Sequence, residues 1–150
     1  MPKWIFYHTA GAFTPEEKKT IAEGMTNIYS SIGLPRFYAN CQFIELPRDS
    51  IYAGGEPAHN LTTVAIYHVA RTFQSDEIQD MFMKGFDDVL RPVLKPKGIK
   101  WESAIYEGNV AYWRINGLIP PSQGSEMEKK WADANRMTDE EELFKNQPRP

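Results

Sequence analysis

The sequence has little cysteine, no long apolar run and no excess of positive charge. Cys41 is its single cysteine, so an intrachain disulfide cannot form, and no apolar run approaches the roughly 18 residues of a membrane-spanning helix. Acidic side chains outnumber basic ones by 20 to 17, so the chain lacks the concentrated positive field that nucleic acid binding requires. We therefore expect a cytoplasmic protein with no membrane or nucleic acid partner.

Motifs for the commonest bound groups are also missing. The sequence has no glycine-rich phosphate loop, no paired metal-ligand spacing and no Gly-x-Ser-x-Gly elbow. Its three histidines (His8, His59 and His68) are scattered, and the pattern favours histidines that end strands over a pair that meets across a sheet. We expect neither a cofactor nor a metal ion, and we interpret Cys41 as a small buried residue.

An internal repeat divides the chain into two similar halves. When the sequence is shifted by 60 positions, residues 5–17 align with residues 65–77, and five of the thirteen pairs are identical. The identical pairs are Tyr7 and Tyr67, His8 and His68, Ala10 and Ala70, Phe13 and Phe73, and Glu17 and Glu77. Residues 3–9 and 62–69 are rich in β-branched and aromatic side chains, so each half is predicted to begin with a strand.

Each predicted strand leads into a helix with a clear start signal. The segment Thr14–Glu17 combines a capping box with proline at the first helical position, and Ser75 is a suitable N-cap for the second helix. Apolar residues recur at helical spacing in both helices. They are Ile21, Met25, Ile28 and Ile32 in the first, and Ile78, Met81, Phe82, Phe86, Val89 and Leu90 in the second. Gly33 is predicted to end the first helix and Pro92 the second.

Further strands are predicted at 39–46 and 99–106, so the order is β-α-β twice. A crossover of this kind is right-handed and joins parallel strands. Since each unit is too small for a core of its own, the chain is predicted to be α/β (α+β), with fused tandem β-α-β units, a four-stranded mixed sheet and two helices on one face. The other face is expected to carry many aromatics, which predicts a homotrimer with the sheets turned inward.

We expect one domain over residues 1–131 followed by a C-terminal arm. The divisions are the repeats at about 2–46 and 62–106, the turn-rich connector 47–61, a short capped helix at 125–131, and the arm or tail 132–150. The arm is polar, acidic and then proline-rich, so we expect it to lie on a neighbouring chain or to be partly disordered.

Pro2 has the most distinctive chemistry in the sequence. Methionine before a small second residue is normally removed, which would leave Pro2 as an N-terminal secondary amine. The pKa of an α-amino group is about 7.7–8.0, and burial without a counter-ion lowers it. A terminal proline that leads directly into a strand is therefore a candidate general base. Many proteins begin Met-Pro, however, so this feature alone does not identify an enzyme.

A terminal proline that opens one of two fused β-α-β units resembles the tautomerase superfamily, and within it the cis-3-chloroacrylic acid dehalogenase group and its fungal-type relatives. The matching segments are Pro2 with its strand, Phe13-Thr14-Pro15, Gly54-Gly55, Arg71, and Leu118-Ile119-Pro120. They keep their order and spacing over roughly residues 2–131. The resemblance implies a trimeric enzyme that needs no cofactor and acts on a small carboxylic acid.

The resemblance also implies roles for individual residues. Pro2 matches the catalytic proline of the family. Arg71 matches an arginine that binds the substrate carboxylate, a task that suits the guanidinium fork; the alternative is an arginine exposed at the start of a helix. Tyr29 stands where the dehalogenases have a histidine. Its phenol can donate to a carboxylate or carbonyl, or it can be a buried aromatic at a helix end.

At other positions the sequence departs from the dehalogenase pattern. The second arginine of that group falls at Gln74, and its tyrosine falls at Ser103 or Tyr106. Its water-activating glutamate falls at Arg114, which cannot act as a base, and Glu107 is an unsupported substitute. We expect Tyr29, Tyr106 and Arg114 to lie near the substrate, within one chain or across a subunit boundary.

These departures favour proton transfer over hydrolysis. The leading hypothesis is a tautomerase in which neutral Pro2 removes a proton α to the carbonyl of a 2-oxo or enol carboxylic acid, while Arg71 and Arg114 hold the acid. One alternative is a cis-3-chloroacrylate dehalogenase-like hydratase that uses cationic Pro2 as an acid. Another is a trimeric binding protein without catalytic activity, since positions 29, 74 and 114 have all changed.

Overall fold

The computed structural model describes residues 1–146 and shows a four-stranded sheet covered on one face by two long helices. The strands are β1 (Lys3–His8), β2 (Asn40–Glu45), β3 (Tyr52–Ala53), β4 (Glu56–Pro57), β5 (Leu61–His68) and β6 (Lys100–Glu107). The helices are α1 (Pro15–Ser30), α2 (Asp76–Leu94), α3 (Glu126–Ala134) and α4 (Glu140–Asn146). Over these residues, every helix is too short or too polar to cross a membrane.

The order of strands in the main sheet is β2-β1-β5-β6. β1 is parallel to β2 and β5 is parallel to β6, as right-handed crossovers require, while the two central strands β1 and β5 are antiparallel. The two β-α-β units therefore meet about a pseudo-two-fold axis, and the predicted fold class is confirmed. β3 and β4 form a separate hairpin in the connector, with Gly54 and Gly55 at its tip.

The core lies between this sheet and the helices α1 and α2. Alternate residues of β1 point toward the helices, and Trp4, Phe6 and His8 are completely buried. The Trp4 ring lies at the centre of an aromatic cluster, with its centroid 4.9 Å from that of Phe86 on α2. The phenylalanines and tryptophans of the strands thus pack between the sheet and the two helices.

The open face of the sheet is less aromatic than the sequence analysis predicts. Its aromatic side chains are Tyr7, Tyr67 and Tyr106, and the last two stack with their ring centroids 5.4 Å apart. Charged side chains such as Lys3 and Glu102 share this face because they alternate with the buried positions. The prediction of an aromatic-rich face is therefore wrong for phenylalanine and tryptophan, which the pleat turns toward the helices.

The predicted start of each long helix is confirmed. Thr14 and Glu17 form both halves of a capping box at α1, and the Ser75 hydroxyl accepts the Ile78 N–H at α2. The predicted end of α2 at Pro92 is wrong, because the helix continues to Leu94. Proline removes one hydrogen bond near the end of a helix, and the complete burial of Leu94 favours the extra half-turn.

Three residues predicted to face the core are exposed instead. They are Ile32, Ile78 and Met81, and the Met81 residue is 72% exposed. Ile32 lies beyond the end of α1, and on α2 the buried stripe begins only at Phe82. The periodic pattern therefore covers a wider arc of each helix than the sheet can bury.

The segment after α2 and β6 folds back on its own chain. The predicted helix at 125–131 is present but continues to Ala134, so the boundary drawn at residue 131 falls within α3. Met137 is buried and Leu143 packs against the core. The predicted arm at 132–150 therefore packs on its own subunit at these positions, and residues 147–150 lie outside the described residues.

The helices α1 and α2 approach most closely at Gly24. A Cβ atom at this position would lie 2.8 and 2.9 Å from the two methyl carbons of Val89 on α2, closer than real carbon atoms approach. Valine is stiff at χ1, so its side chain cannot turn away easily. Glycine at position 24 thus sets the distance between the two helices, and with it their fit to the sheet.

We expect Gly24→Ala to lower the free energy of unfolding by about 1–3 kcal/mol, because overpacking forces the helices apart. The matched control is Gly85→Ala on α2, where a new Cβ would lie 3.6 Å from Ile28, an ordinary contact. Alanine should leave stability unchanged there or raise it by up to about 1 kcal/mol. Urea denaturation measures both, and equal effects of the two substitutions would contradict this account of the helix packing.

Candidate active site

One end of the sheet brings together the start of the chain and the ends of two strands. β1 and β2 begin where β5 and β6 end, because each outer strand is parallel to its central partner and the central strands are antiparallel. We call this region the site end. It comprises Met1–Pro2, Tyr38–Asn40, His68–Arg71 and Glu107. It contains Pro2 and Arg71, the two residues for which the sequence makes the strongest functional predictions.

Arg71 lies just beyond β5 and forms a buried ion pair with Glu128 of α3. Its Nη2 donates to both carboxylate oxygens at 3.1 Å, and its Nη1 donates to the Ala70 carbonyl at 2.9 Å. The side chains of Arg71 and Glu128 are only 10% and 4% exposed. The alternative of an arginine exposed at the start of a helix is therefore wrong. Sequence analysis missed Glu128, which lies 57 residues away in the chain.

A cleft of about 330 Å³ opens beside this ion pair. Its walls include Trp113, Ile119, Pro120 and Pro121, together with Arg71 and Glu128. Neither Met1 nor Pro2 is part of its lining. The volume is typical of a site for a small molecule, as is the combination of apolar walls with few polar groups.

A chain of hydrogen bonds runs through the core to His68 at the end of β5. The Trp4 Nε1–H donates to the Tyr29 hydroxyl oxygen at 3.2 Å, and that hydroxyl lies 3.3 Å from His68 Nδ1. Since indole can only donate, the arrangement that uses every proton has Tyr29 donating to Nδ1. The neutral His68 ring then carries its proton on Nε2.

Burial lowers the pKa of His68, and the terminal ammonium and Arg71 act in the same direction, while Glu107 opposes them. The neutral ring is therefore favoured. His68 stacks on Phe73, with centroids 4.4 Å apart and planes within 6°. His8 occupies the corresponding place at the other end of the sheet, so the predicted preference for two separate strand-end histidines is consistent with the geometry.

The amino terminus is partly buried at the site end. Pro2 is buried, and its carbonyl accepts the Asn40 N–H at 3.0 Å. Met1 is half-buried against the core, and burial, assisted by the charge of Lys3, lowers the pKa of the terminal amine to about 4. An amine in this position is thus strongly disposed to lose its proton.

Three buried polar atoms at the site end have no protein partner. They are the Tyr38 hydroxyl, the Asn40 Oδ1 atom and the Arg71 Nε atom. Burial raises the pKa of Tyr38, with the Glu128 charge adding to the effect and Arg71 opposing it, so the phenol keeps its proton. Buried polar groups are normally satisfied. The site end thus contains two donors and one acceptor that protein groups leave unused, each buried beneath its surface.

The other predicted site residues do not line the cleft beside Arg71. Tyr29 is 1% exposed and contacts His68 rather than the cleft, so its buried alternative is the one observed. Arg114 is exposed and donates to the carbonyls of Ala111 and Trp113. Tyr106 is on the open face of the sheet.

Glu107 is closer to the site end than the sequence alone indicates. It lies directly opposite His68 in the pairing of β6 with β5, and its Oε1 accepts the Phe73 N–H at 3.2 Å. It is thus a carboxylate at the edge of the candidate site. Sequence analysis named it without support. It interpreted His68 as structural, although the repeat had already singled that histidine out.

The described residues offer no cluster for metal binding. Within residues 1–146, no three side chains of His, Cys, Asp or Glu converge to hold an ion. Cys41 is partly buried on β2, and burial raises the pKa of its thiol to about 12. The thiol is therefore a poor nucleophile near neutral pH.

Residues 1–136 match the family described as "Putative oxalocrotonate tautomerase enzyme". A probable enzyme from the thermophilic fungus Aspergillus fumigatus is 44% identical, with a TM-score of 0.87 over 92% of this chain and 96% of that chain. RhCC from Rhodococcus jostii RHA1 is 35% identical, with a TM-score of 0.88 over 91% and 98%. No curated protein sequence matches the chain.

More distant structures share the fold. N1, a member of the cis-3-chloroacrylic acid dehalogenase family, is 16% identical, with a TM-score of 0.68 over 97% of this chain and 92% of that one. A fused 4-OT protein that forms an asymmetric trimer is 18% identical, with a TM-score of 0.64 over 82% and 99%.

We expect Tyr29→Phe to lower the free energy of unfolding by about 1–3 kcal/mol, because Trp4 and His68 both lose a buried partner. Tyr112→Phe is the control, since Tyr112 is 85% exposed. Thermal unfolding followed by circular dichroism measures the difference. If the two variants unfolded at the same temperature, the Tyr29 hydroxyl would have no part in holding His68.

Proposed function

The chain belongs to the oxalocrotonate tautomerase-like family, and we propose that it is a cofactor-free enzyme in which Pro2, freed by removal of Met1, acts as a general base on a small 2-oxo or enol carboxylic acid. Family membership confirms the resemblance inferred from the sequence. The observation that carries the proposal is the position of the chain terminus, which is buried at the same end of the sheet as His68 and Arg71.

Burial supports the basic role of Pro2. The amine of Met1 already has a lowered pKa because water is excluded around it. Pro2 is buried too, so removal of Met1 would transfer this desolvation to the proline nitrogen and vacate the space that the Met1 side chain fills. A neutral secondary amine near pH 7 is the form that can accept a proton.

The proposed reaction moves one proton and leaves no net change in composition. The Pro2 nitrogen takes a proton from the carbon α to the carbonyl, and the electron pair of that C–H bond becomes the enolate. The unpartnered Arg71 Nε–H and the Tyr38 hydroxyl are the donors available to stabilise the developing negative charge. Cationic Pro2 then returns the proton to the enolate oxygen, and the same steps in reverse convert enol to ketone.

Glu107 favours a second candidate, hydration or dehalogenation of a short unsaturated acid such as cis-3-chloroacrylate. In that reaction a carboxylate activates water while cationic Pro2 donates a proton. The Arg114 position cannot supply the carboxylate, but Glu107 lies opposite His68 at the site end. We rank this second because desolvation at the chain terminus favours the neutral amine.

We also propose that the chain assembles as a homotrimer through the open face of its sheet. A cavity of about 430 Å³ on this face is lined by Tyr7, Ala104 and Tyr106, among others. The fused 4-OT protein of similar fold is a trimer.

Light scattering should give about three times the chain mass of 17.2 kDa, because the open face of the sheet carries uncovered tyrosines. The substitution Tyr106→Lys should shift the mass toward the monomer, while Tyr112→Lys, in an exposed turn, should not. A stable monomer for the unaltered protein would exclude this assembly.

The rate of ketonisation or enolisation of an aryl 2-oxo acid should rise with pH through a pKa below about 7.7, the reference for a free amine. The sign follows from the mechanism, because the active form of Pro2 is unprotonated and is lost as pH falls through its lowered pKa. Pro2→Ala should remove most of the activity, although its primary amine can retain a fraction. Initial rates followed by ultraviolet absorbance from about pH 5 to about pH 9, a range that brackets the expected pKa, measure this pH dependence.

Intact mass must first show that Met1 is absent, because acylated Pro2 is not basic. A chain that retains Met1 is the matched inactive control. Chloride release from cis-3-chloroacrylate should be weak or absent. Efficient release, with a rate that falls as Pro2 loses its proton, would instead establish the second candidate. Loss of Met1 without any activity toward either class of acid would favour a binding protein.

A further inference from the structure

The cleft beside Arg71 contains one positive and one negative side chain. Among the described residues that line it, Arg71 and Glu128 are the only charged ones, and their mutual pairing leaves the wall with no net charge. The second cation of the dehalogenase pattern is absent, because that position is Gln74. A carboxylate that enters the cleft must therefore share Arg71 with Glu128.

Glu128 is itself firmly held. It occupies the third position of α3, where its N–H bonds to the Ser125 hydroxyl, and its Oε2 accepts the Gly124 N–H at 2.7 Å. Negative charge is stabilised at the start of a helix. A carboxylate with these partners is not readily displaced by a ligand.

This arrangement also orients the Arg71 side chain. Glu128 and the Ala70 carbonyl occupy the two terminal nitrogens, Nη2 and Nη1, whereas Nε has no protein partner and is buried. The guanidinium group is therefore fixed with one edge unused. Tyr38, whose buried hydroxyl also lacks a protein partner, belongs to the same end of the sheet.

We propose that Glu128 is a positioning residue that fixes the Arg71 guanidinium for the substrate carboxylate, and that its charge restricts the site to substrates with no more than one carboxylate and an apolar substituent. The apolar substituent lies against Val110, Trp113, Ile119 and Pro121 in the cleft. This inference deepens the proposed function and rests on it for the substrate carboxylate at Arg71. It adds that the apolar part of the substrate lies in this cleft, whose lining does not include Pro2.

The charge count gives the physical reason. One substrate carboxylate beside the Arg71–Glu128 pair leaves a net charge of one negative unit, whereas a dicarboxylate leaves two. The second carboxylate has no cation of its own in the described lining, because Arg71 is already shared by Glu128 and the first carboxylate. At an effective dielectric constant of about 20 between partly buried charges, an uncompensated repulsion from Glu128 at about 8 Å would weaken binding roughly tenfold or more. If the ion pair only held α3 against the segment after β5, the effect of removing the Glu128 charge on affinity would be the same for ligands of every charge.

Isothermal titration calorimetry at pH 7.5 can measure binding without turnover, using three probes that differ in the number of carboxylates. The probes are 3-phenylpropanamide with none, 3-phenylpropionate with one and phenylsuccinate with two. The unaltered protein should bind phenylsuccinate at least about tenfold more weakly than 3-phenylpropionate. The substitution Glu128→Gln keeps an acceptor for Arg71 but removes the charge. It should increase the affinity for phenylsuccinate most, increase that for 3-phenylpropionate less, and leave that for the amide unchanged.

Glu126→Gln is the matched control, because Glu126 lies on the same helix with its side chain 90% exposed. It should leave all three affinities unchanged. Glu128→Asp keeps the charge but shortens the side chain that reaches Arg71. It should lower the affinity for 3-phenylpropionate, while phenylsuccinate should still bind more weakly than 3-phenylpropionate.

Two outcomes would overturn the proposal. One is a dicarboxylate that binds the unaltered protein as tightly as the monocarboxylate. The other is an equal change for all three probes in a Glu128→Gln protein that is still folded by circular dichroism, which would show that the pair only holds α3 in place. Pro2→Ala separates this test from the proposed function, because it should remove most of the turnover while leaving the order of affinities intact.

Discussion

The antiparallel pairing of β1 with β5 is the constraint on which the rest of the structure depends. It places the first residues of the chain beside the last residues of β5, so that the terminal amine, His68 and Arg71 lie at one end of the sheet. The two parallel outer strands then add Asn40 and Glu107 to the same end. A parallel pairing of the two repeats would have separated the amine from the arginine by the length of the sheet.

Burial at this end decides which groups keep a charge. It favours the neutral forms of the terminal amine, of His68 and of the Tyr38 phenol. Arg71 and Glu128 form a buried ion pair, and removal of one partner would leave a buried charge uncompensated. The region therefore combines an amine in its neutral, proton-accepting form with one fixed dipolar pair. Such an environment suits a reaction in which negative charge develops only in the transition state.

The sequence predicts the fold well because local signals and the repeat agree. The capping box at Thr14–Glu17, the N-cap Ser75 and the four long strands all depend on neighbours in sequence. The ion pair of Arg71 with Glu128 joins residues 57 positions apart, and no periodicity links them. Exposure of Met81 also depends on how far the sheet extends under α2. Contacts of this kind between distant segments are what single-sequence reasoning cannot supply, so the site is less predictable than the fold.

The two ends of the sheet also show why only one of them is a candidate site. They are built on the same pattern, since His8 packs edge-on against Phe13 at one end and His68 stacks on Phe73 at the other. The repeat aligns Arg71 with Gly11, which has a positive φ angle of 71° and no side chain to bind a ligand. The connector precedes β5 at the end that holds His8, so no amine arises there. The pseudo-symmetric frame is therefore present at both ends of the sheet, whereas the candidate site depends on two features that break the symmetry, the chain terminus and Arg71.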